Sequence, residues 1–164
     1  MKTILIFLSA ILLLSCTQTK IAYVDYESLM NNYEAVKLQQ ETLKEKQTRF
    51  NKELEDLQAQ FQLKVQDFYK NSPNMSADKR AELENTLKQE QESIQTRQQQ
   101  ASQELQNENQ ENNNIFTMSV DSIVENYAKE NKYNLIVRTL GKSNVIYGDE
   151  TVDITSEILK ILNN

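Results

Sequence analysis

The chain of 164 residues has no histidine. That removes the commonest general base near neutral pH and the commonest metal ligand. A single cysteine, Cys16, excludes an intrachain disulfide and a multi-cysteine zinc site. No nucleophile elbow is present. The nearest approach to a phosphate loop is Gly141-Lys142-Ser143. A P-loop needs another glycine five residues earlier, between a strand and a helix, and that position is Ile136. The three residues read as a turn. No catalytic residue, metal or cofactor is therefore expected. Tryptophan is also missing, and aromatics at 7% leave little for a large core. Basic residues are outnumbered 18 to 24, for a net charge of −6. A sequence-independent nucleic-acid binder needs Lys and Arg to displace counterions from phosphates, so that class is excluded.

Breakers of regular structure are scarce too. Two glycines and one proline, with 26% charge, suit long helices better than a compact globule. Residues 29–127 read as two long helices that double back at 71–76. The first, from about Tyr26 to Asn71, carries a ladder with alternating spacings of four and three. Its rungs are Leu29, Tyr33, Val36, Gln40, Leu43, Gln47, Phe50, Leu54, Leu57, Phe61, Lys64 and Phe68. Nine are apolar, which puts one greasy seam along the helix. Pro73 stands where the ladder stops. It lacks an amide donor and pushes its predecessor away from helical angles.

The second helix follows from Ala77 to about Asn131, with Ser76 as its N-cap and Asp78 in its first turn. Its ladder is thinner: Leu83, Leu87, Ile94, Ala101, Leu105, Phe116, Val120, Ile123 and Tyr127. Residues 89–114 are close to low complexity in Gln, Glu and Asn, and a disordered tract is the alternative there. The seven-residue spacing of Leu87, Ile94 and Ala101 favours helix. A hairpin centred on Asn74 sets Phe61 opposite Leu87, Leu54 opposite Ile94, Gln47 opposite Ala101 and Leu43 opposite Leu105. Phe50 and Leu57 then face Gln98 and Gln91, so the seam is lopsided.

The two ends differ from the arm. Residues 1–15 read as a signal peptide, with Lys2 as its positive region and an apolar run at 4–14. The run ends in Leu13-Leu14-Ser15-Cys16, which resembles the lipobox of bacterial lipoproteins. That resemblance implies lipidation of Cys16 as the mature N-terminus; an ordinary signal peptide is the alternative. Cleavage would leave 17 basic against 24 acidic residues, a net −7. Such a body is not held to anionic lipid by charge, so several acyl chains would form the anchor.

Lys20-Ile-Ala-Tyr-Val-Asp25 reads as a strand, with Ile21 and Tyr23 on one side and Ala22 and Val24 on the other. Asp25 can cap the next helix, and Glu27 suits its positive end. After the arm, Asn131 or Asn134 can end the helix. Leu135-Ile-Val-Arg138 and Val145-Ile-Tyr147 read as a hairpin around Gly141. A final helix begins at Asp153 or Thr155 and has an apolar face of Ile154, Ile158, Leu159, Ile161 and Leu162. The expected architecture is mainly α with a small β body: a long antiparallel helical hairpin (26–131) projecting from a short-stranded sheet (16–25 and 132–164). Three short strands and a helix make a poor core, so the body is expected to complete itself as a symmetric oligomer through Ile21, Tyr23, Val24, Leu135, Val137, Val145 and Tyr147.

The order of these parts carries a resemblance. A signal, Lys20-Ile-Ala-Tyr-Val-Asp25, a long charged hairpin, Tyr133-Asn-Leu-Ile-Val137, Asn144-Val-Ile-Tyr147 and Val152-Asp-Ile-Thr155 before a short Leu-rich helix resemble the Skp/OmpH periplasmic chaperones. The resemblance implies a homotrimer whose helical arms hold unfolded outer-membrane β-barrel proteins without nucleotide. It implies no catalytic residue and a location in the periplasm, here anchored to the outer membrane. The best-known member of the family is soluble and strongly basic, whereas this chain is acidic. A role that needs a positive cavity, such as lipopolysaccharide binding, is thereby put in question. The small basic cluster at the tip, Lys70, Lys79 and Arg80, reads as ordinary helix-end solvation. Candidate client contacts are Phe50, Leu57 and Phe68 on the ladder and Leu63 and Val65 off it; packing within or between arms is the alternative. A competing function is a structural coiled-coil lipoprotein acting as an envelope tether or adaptor. A hydrolytic lipoprotein has the least support.

Overall fold

The computed structural model describes residues 19–141 and 143–164. The signal segment and Cys16 lie outside the described residues. The chain divides into two compact units. One, the strand unit, combines the described residues up to Tyr33 with Ser119–Asn164; the other, the hairpin unit, is Glu34–Met118.

The strand unit is built on β1 (Ile21–Asp25) and β2 (Leu135–Thr139), which pair in parallel from Ile21–Leu135 to Asp25–Thr139. Parallel strands require a long crossover, and the helices between them supply it. Ala22 and Val24 are buried while Ile21 is about half exposed, so the strand alternates as expected. The other edge of β1 bridges Asp153, and the Ile154 amide donates to the Tyr23 carbonyl at 3.1 Å.

The expected hairpin of β2 with residues 145–147 does not form; the sheet among the described residues has two strands, not three. The segment after β2 is folded on itself. Asn144 Nδ2 donates to the Arg138 carbonyl at 2.9 Å, and the Ser143 amide donates to Leu140 at 3.2 Å. A side chain thus occupies a carbonyl that hairpin pairing could use. Gly141 takes a left-handed φ of 56° and donates its amide to Asp25 Oδ1 at 3.1 Å. That bond turns the chain across the end of β1.

Helix α1 (Tyr26–Asn32) starts under an Asp25 cap, whose carboxylate accepts from the Glu27 and Ser28 amides. The expected continuous helix from Tyr26 to Asn71 is interrupted at Tyr33, which is extended at ψ 122°. Asn31 and Asn32 are poor helix formers, and Asn32 Nδ2 bonds the Ser28 carbonyl at 2.8 Å. A heptad ladder does not register a one-residue break that keeps its spacing. Helix α2 (Glu34–Asn71) continues for 38 residues, about 57 Å by rise. A 3₁₀ turn, Ser72–Asn74, contains Pro73 and leads to α3 (Ala77–Glu130). The Lys79 amide donates to Ser76 Oγ at 3.3 Å. The Gln/Asn-rich stretch is helical throughout.

Helix α3 does not end through Asn131 or Asn134 in the left-handed region. Lys132 takes that conformation, φ 59°, and the Tyr133 amide returns to the Ala128 carbonyl at 2.9 Å. Both asparagines are engaged elsewhere: Asn131 Nδ2 bonds Tyr127, and Asn134 bonds Lys20. A second 3₁₀ turn, Glu150–Val152, precedes α4 (Thr155–Leu162). Asp153 Oδ1 accepts from the Thr155 amide at 2.8 Å. Ile154, just before α4, and Ile158 within it pack inward, whereas Ile161 is 43% exposed. The unit's core is Ala22, Val24, Tyr26, Leu29, Val120, Ile154 and Ile158.

In the hairpin unit the register is displaced from the one centred on Asn74. That register sets Lys46 opposite Ser102 and Lys64 opposite Glu84. Instead Lys46 pairs with Glu104 (2.8 Å) and Glu108 (2.5 Å), and Lys64 with Glu90 (2.5 Å). Val36, Gln40 and Leu43 line a common cleft with Asn109, Asn112 and Phe116, where Leu105 was expected against Leu43. The cause is the turn. Ser72–Asn74 prolong the first helical path, so the fold point moves to Met75 and Ser76.

Candidate functional site

Long helices with an incomplete seam present side chains rather than a pocket with convergent chemistry. Among the described residues no cluster of His, Cys, Asp and Glu is arranged to hold a metal ion. None of their helices is long and apolar enough to cross a membrane.

The five proposed contact residues separate by environment. Phe50 is half-buried, and its ring lies beneath two cations: Arg97 at 4.7 Å and Lys46 at 5.9 Å from the centroid. Arg97 makes a bidentate pair with Glu53, 2.6 and 2.7 Å, which holds the Glu53 carboxyl below its usual range. Lys46 is in turn held by its two glutamates, which raise its pKa. Phe50 is thus roofed by fixed charge, the cation–π arrangement that guanidinium favours. Leu57 and Val65 are half-buried. Phe68 meets Tyr69 edge-on at 5.7 Å and borders a 270 Å³ cleft with Met75, Leu83 and Leu87. Leu63 stands apart at 66% exposed.

The sequence reading missed three side chains at least as exposed as Leu63, Leu38 at 66%, Tyr69 at 70% and Met118 at 73%, and a fourth, Ile115, at 48%. The signal was available. Leu38, Tyr69, Ile115 and Met118 stand off the ladder as Leu63 does, and the helical period turns them from the seam. Of the apolar residues buried along the seam, Ile94 and Ala101 come from the thin ladder of α3, and Val36 and Phe116 close its other end. At the turn, Arg80 donates to the Ser72 carbonyl at 3.0 Å and Lys79 pairs with Glu82 at 2.8 Å, so two of the three tip cations have partners there.

In the strand unit, Val24 is wholly buried. Tyr23, Val137 and Val145 are half-buried, and Ile21 (47%), Leu135 (52%) and Tyr147 (82%) are exposed. Ile146, also on the segment after β2, is fully exposed. Burial, then the Asp153 carboxylate, raises the pKa of the Tyr23 hydroxyl. Gly148 lies against the Tyr23 ring, where a Cβ would collide.

A family model described as outer membrane protein (OmpH-like) matches residues 20–162, nearly all of the described chain. The chain belongs to the OmpH-like family. It is a family of outer membrane chaperones. The chain is 26% identical over 108 residues to the chaperone protein Skp of Yersinia enterocolitica. That match covers 66% of this chain and 64% of the relative's length. The fold is similar to the crystal structure of an OmpH-like protein from Caulobacter crescentus, with a TM-score of 0.80 at 13% identity, covering 90% of this chain and 85% of that one. The OmpH-like fold, mainly helical with a small sheet, is therefore shared across large sequence divergence.

Proposed function

We propose that this OmpH-like chain is an ATP-independent periplasmic holdase that binds unfolded outer-membrane β-barrel proteins and prevents their aggregation. It works as a homotrimer, anchored to the outer membrane by lipid on Cys16. The observation that carries the reading is the row of exposed apolar side chains on the hairpin unit: Leu38, Leu63, Tyr69, Ile115 and Met118. They are scattered along helices rather than gathered in one pocket. An unfolded barrel strand shows an apolar side chain at every second residue and aggregates through its edges. Many weak, dispersed contacts suit such clients better than one deep site, because they accept many sequences and release each one. Binding the unfolded client and not the folded one shifts its equilibrium by mass action, with no nucleotide needed. Phe50, Leu57, Val65 and Phe68 form the second rank of contacts, available where the seam opens.

Light scattering on the soluble Cys16→Ser chain tests both parts. The chain alone should have the mass of three subunits. After mixing with a urea-unfolded β-barrel protein, the mass should rise by that of the client. A monomer would overturn the assembly, and an unchanged mass would overturn the client reading.

A further inference from the structure

The two strands of the sheet begin on the same edge, and the anchored cysteine is close to it in sequence. Thr17, Gln18 and Thr19 alone separate Cys16 from Lys20. Four extended steps of chain reach at most about 14 Å. Lys20 itself is pinned. Its amide donates to Asn134 Oδ1 at 2.8 Å, and its carbonyl accepts from the Asn134 amide at 2.8 Å. Its ammonium donates to the Asn131 carbonyl at 3.1 Å and sits 3.9 Å from the centre of the Tyr133 ring. The start of β1 is thereby fixed against the end of α3 and the start of β2.

We propose that this edge of the strand unit faces the phospholipid headgroups, with Lys20, Lys129, Lys132, Tyr127 and Tyr133 as the contact surface. The inference rests on the acylation of Cys16 proposed above. The chemistry of the edge suits that place. Tyr127 and Tyr133 stack with centroids 6.0 Å apart, and both rings are half-buried. Tyrosine and lysine each combine an apolar body with a polar tip, which places them at headgroup level. Three carboxylates share the edge. Glu125 is paired with Lys129 at 2.6 Å, and Glu130 and Glu157 are the others. The edge is therefore close to neutral. The opposite end of the strands is about 13 Å away by rise. There Asp25 and Glu27 flank Gly141, with Arg138 and Lys142 close by in sequence, so net charge does not set the two ends apart. The tether does: it joins the chain at Lys20, and only by running back along β1 at nearly its full length could it bring the anchor to the other end.

The chain has no tryptophan, so an introduced one is a unique fluorophore. Glu130→Trp marks the proposed edge, and Leu140→Trp, at a 56% exposed position, marks the other. Thr19→Trp, at an exposed position beside Lys20, reads the proposed edge a second time, independently of folding in Glu130→Trp. The mature full chain is placed on vesicles of phosphatidylethanolamine and phosphatidylglycerol whose lipids carry bromine near the headgroup. Quenching should be several-fold stronger for Glu130→Trp and Thr19→Trp than for Leu140→Trp. Equal quenching at both ends, or stronger quenching at Leu140→Trp, overturns the proposal. Mass spectrometry of the N-terminus tests the acylation separately. If Cys16 carries no acyl chain, the anchoring reading fails, and coupling the Cys16 thiol to a maleimide lipid restores the same tether. The same quenching pattern is then required of that conjugate.

Discussion

Tyr26, Asp121 and Arg138 tie three elements of the strand unit at one point. The Tyr26 hydroxyl donates to Asp121 Oδ1, Arg138 Nη2 donates to the same oxygen, and the guanidinium lies 4.3 Å from the centre of the Tyr26 ring. Burial, then the Asp121 bond, raises the Tyr26 hydroxyl well above its usual 10.0. Burial pushes the Asp121 carboxyl up, but the bonds from Tyr26 and Arg138 outweigh it and hold the group below 3.8. Asp121 therefore adds stability above its unfolded value and loses it as pH falls through its lower folded value. Tyr26 acts at the other limit: its contribution is complete below 10.0 and is lost as pH rises through its higher folded value. Tyr26→Phe should cost about 1 kcal/mol, since Asp121 is half exposed and water screens the bond. Asp121→Asn should destabilise the chain near neutral pH, with the difference from wild type shrinking below pH 3.8. Urea unfolding at both pH values checks this. A difference independent of pH would show that the carboxylate is not the cause. The sequence could not reveal this contact, because its members lie far apart along the chain. The Asp25 cap was legible because its helix partners, Glu27 and Ser28, lie within the next three residues.

At the level of elements, the helices were legible from spacing, and their interruptions were not. The first helix breaks at Tyr33, where the backbone turns extended next to an Asn32 side chain bonded to the Ser28 carbonyl, and apolar periodicity does not encode that. Residues 145–147 look like a strand by composition, yet the neighbouring turn is claimed by the Asn144 and Gly141 bonds to Arg138 and Asp25. Composition measures willingness to pair, and pairing also needs a free edge within reach. The hairpin register failed by about one helical turn for a similar reason. Matching ladders assume a symmetric fold point, whereas Ser72–Asn74 add a 3₁₀ turn to one side. Disulfide crosslinking in a Cys16→Ser background reads the register directly. Gln40→Cys with Asn112→Cys should crosslink efficiently, and Gln40→Cys with Glu108→Cys should not. The reverse result would restore the register centred on Asn74.

At the level of the whole molecule, family membership was legible from the two short ends, which flank a compositionally ordinary pair of helices. The contact surface was only half legible. The ladder drew attention to Phe50, Leu57 and Phe68, which the seam and its cations partly cover. Exposure instead favours Leu38, Leu63 and Met118, which lie off the ladder. Removing their apolar surface should spare the fold, since exposed substitutions away from caps and ion pairs usually change stability by under about 0.5 kcal/mol. The central claim, that exposed apolar side chains of the hairpin unit hold unfolded barrel proteins, is tested most directly by aggregation. A urea-unfolded β-barrel protein is diluted without nucleotide, and its turbidity is followed with the mature chain or with the Leu38→Ser, Leu63→Ser, Met118→Ser triple variant. The account predicts that the wild-type chain suppresses turbidity at modest molar excess and that the folded triple variant needs several-fold more. Aggregation unchanged by the wild-type chain, or suppressed equally by both, would contradict it.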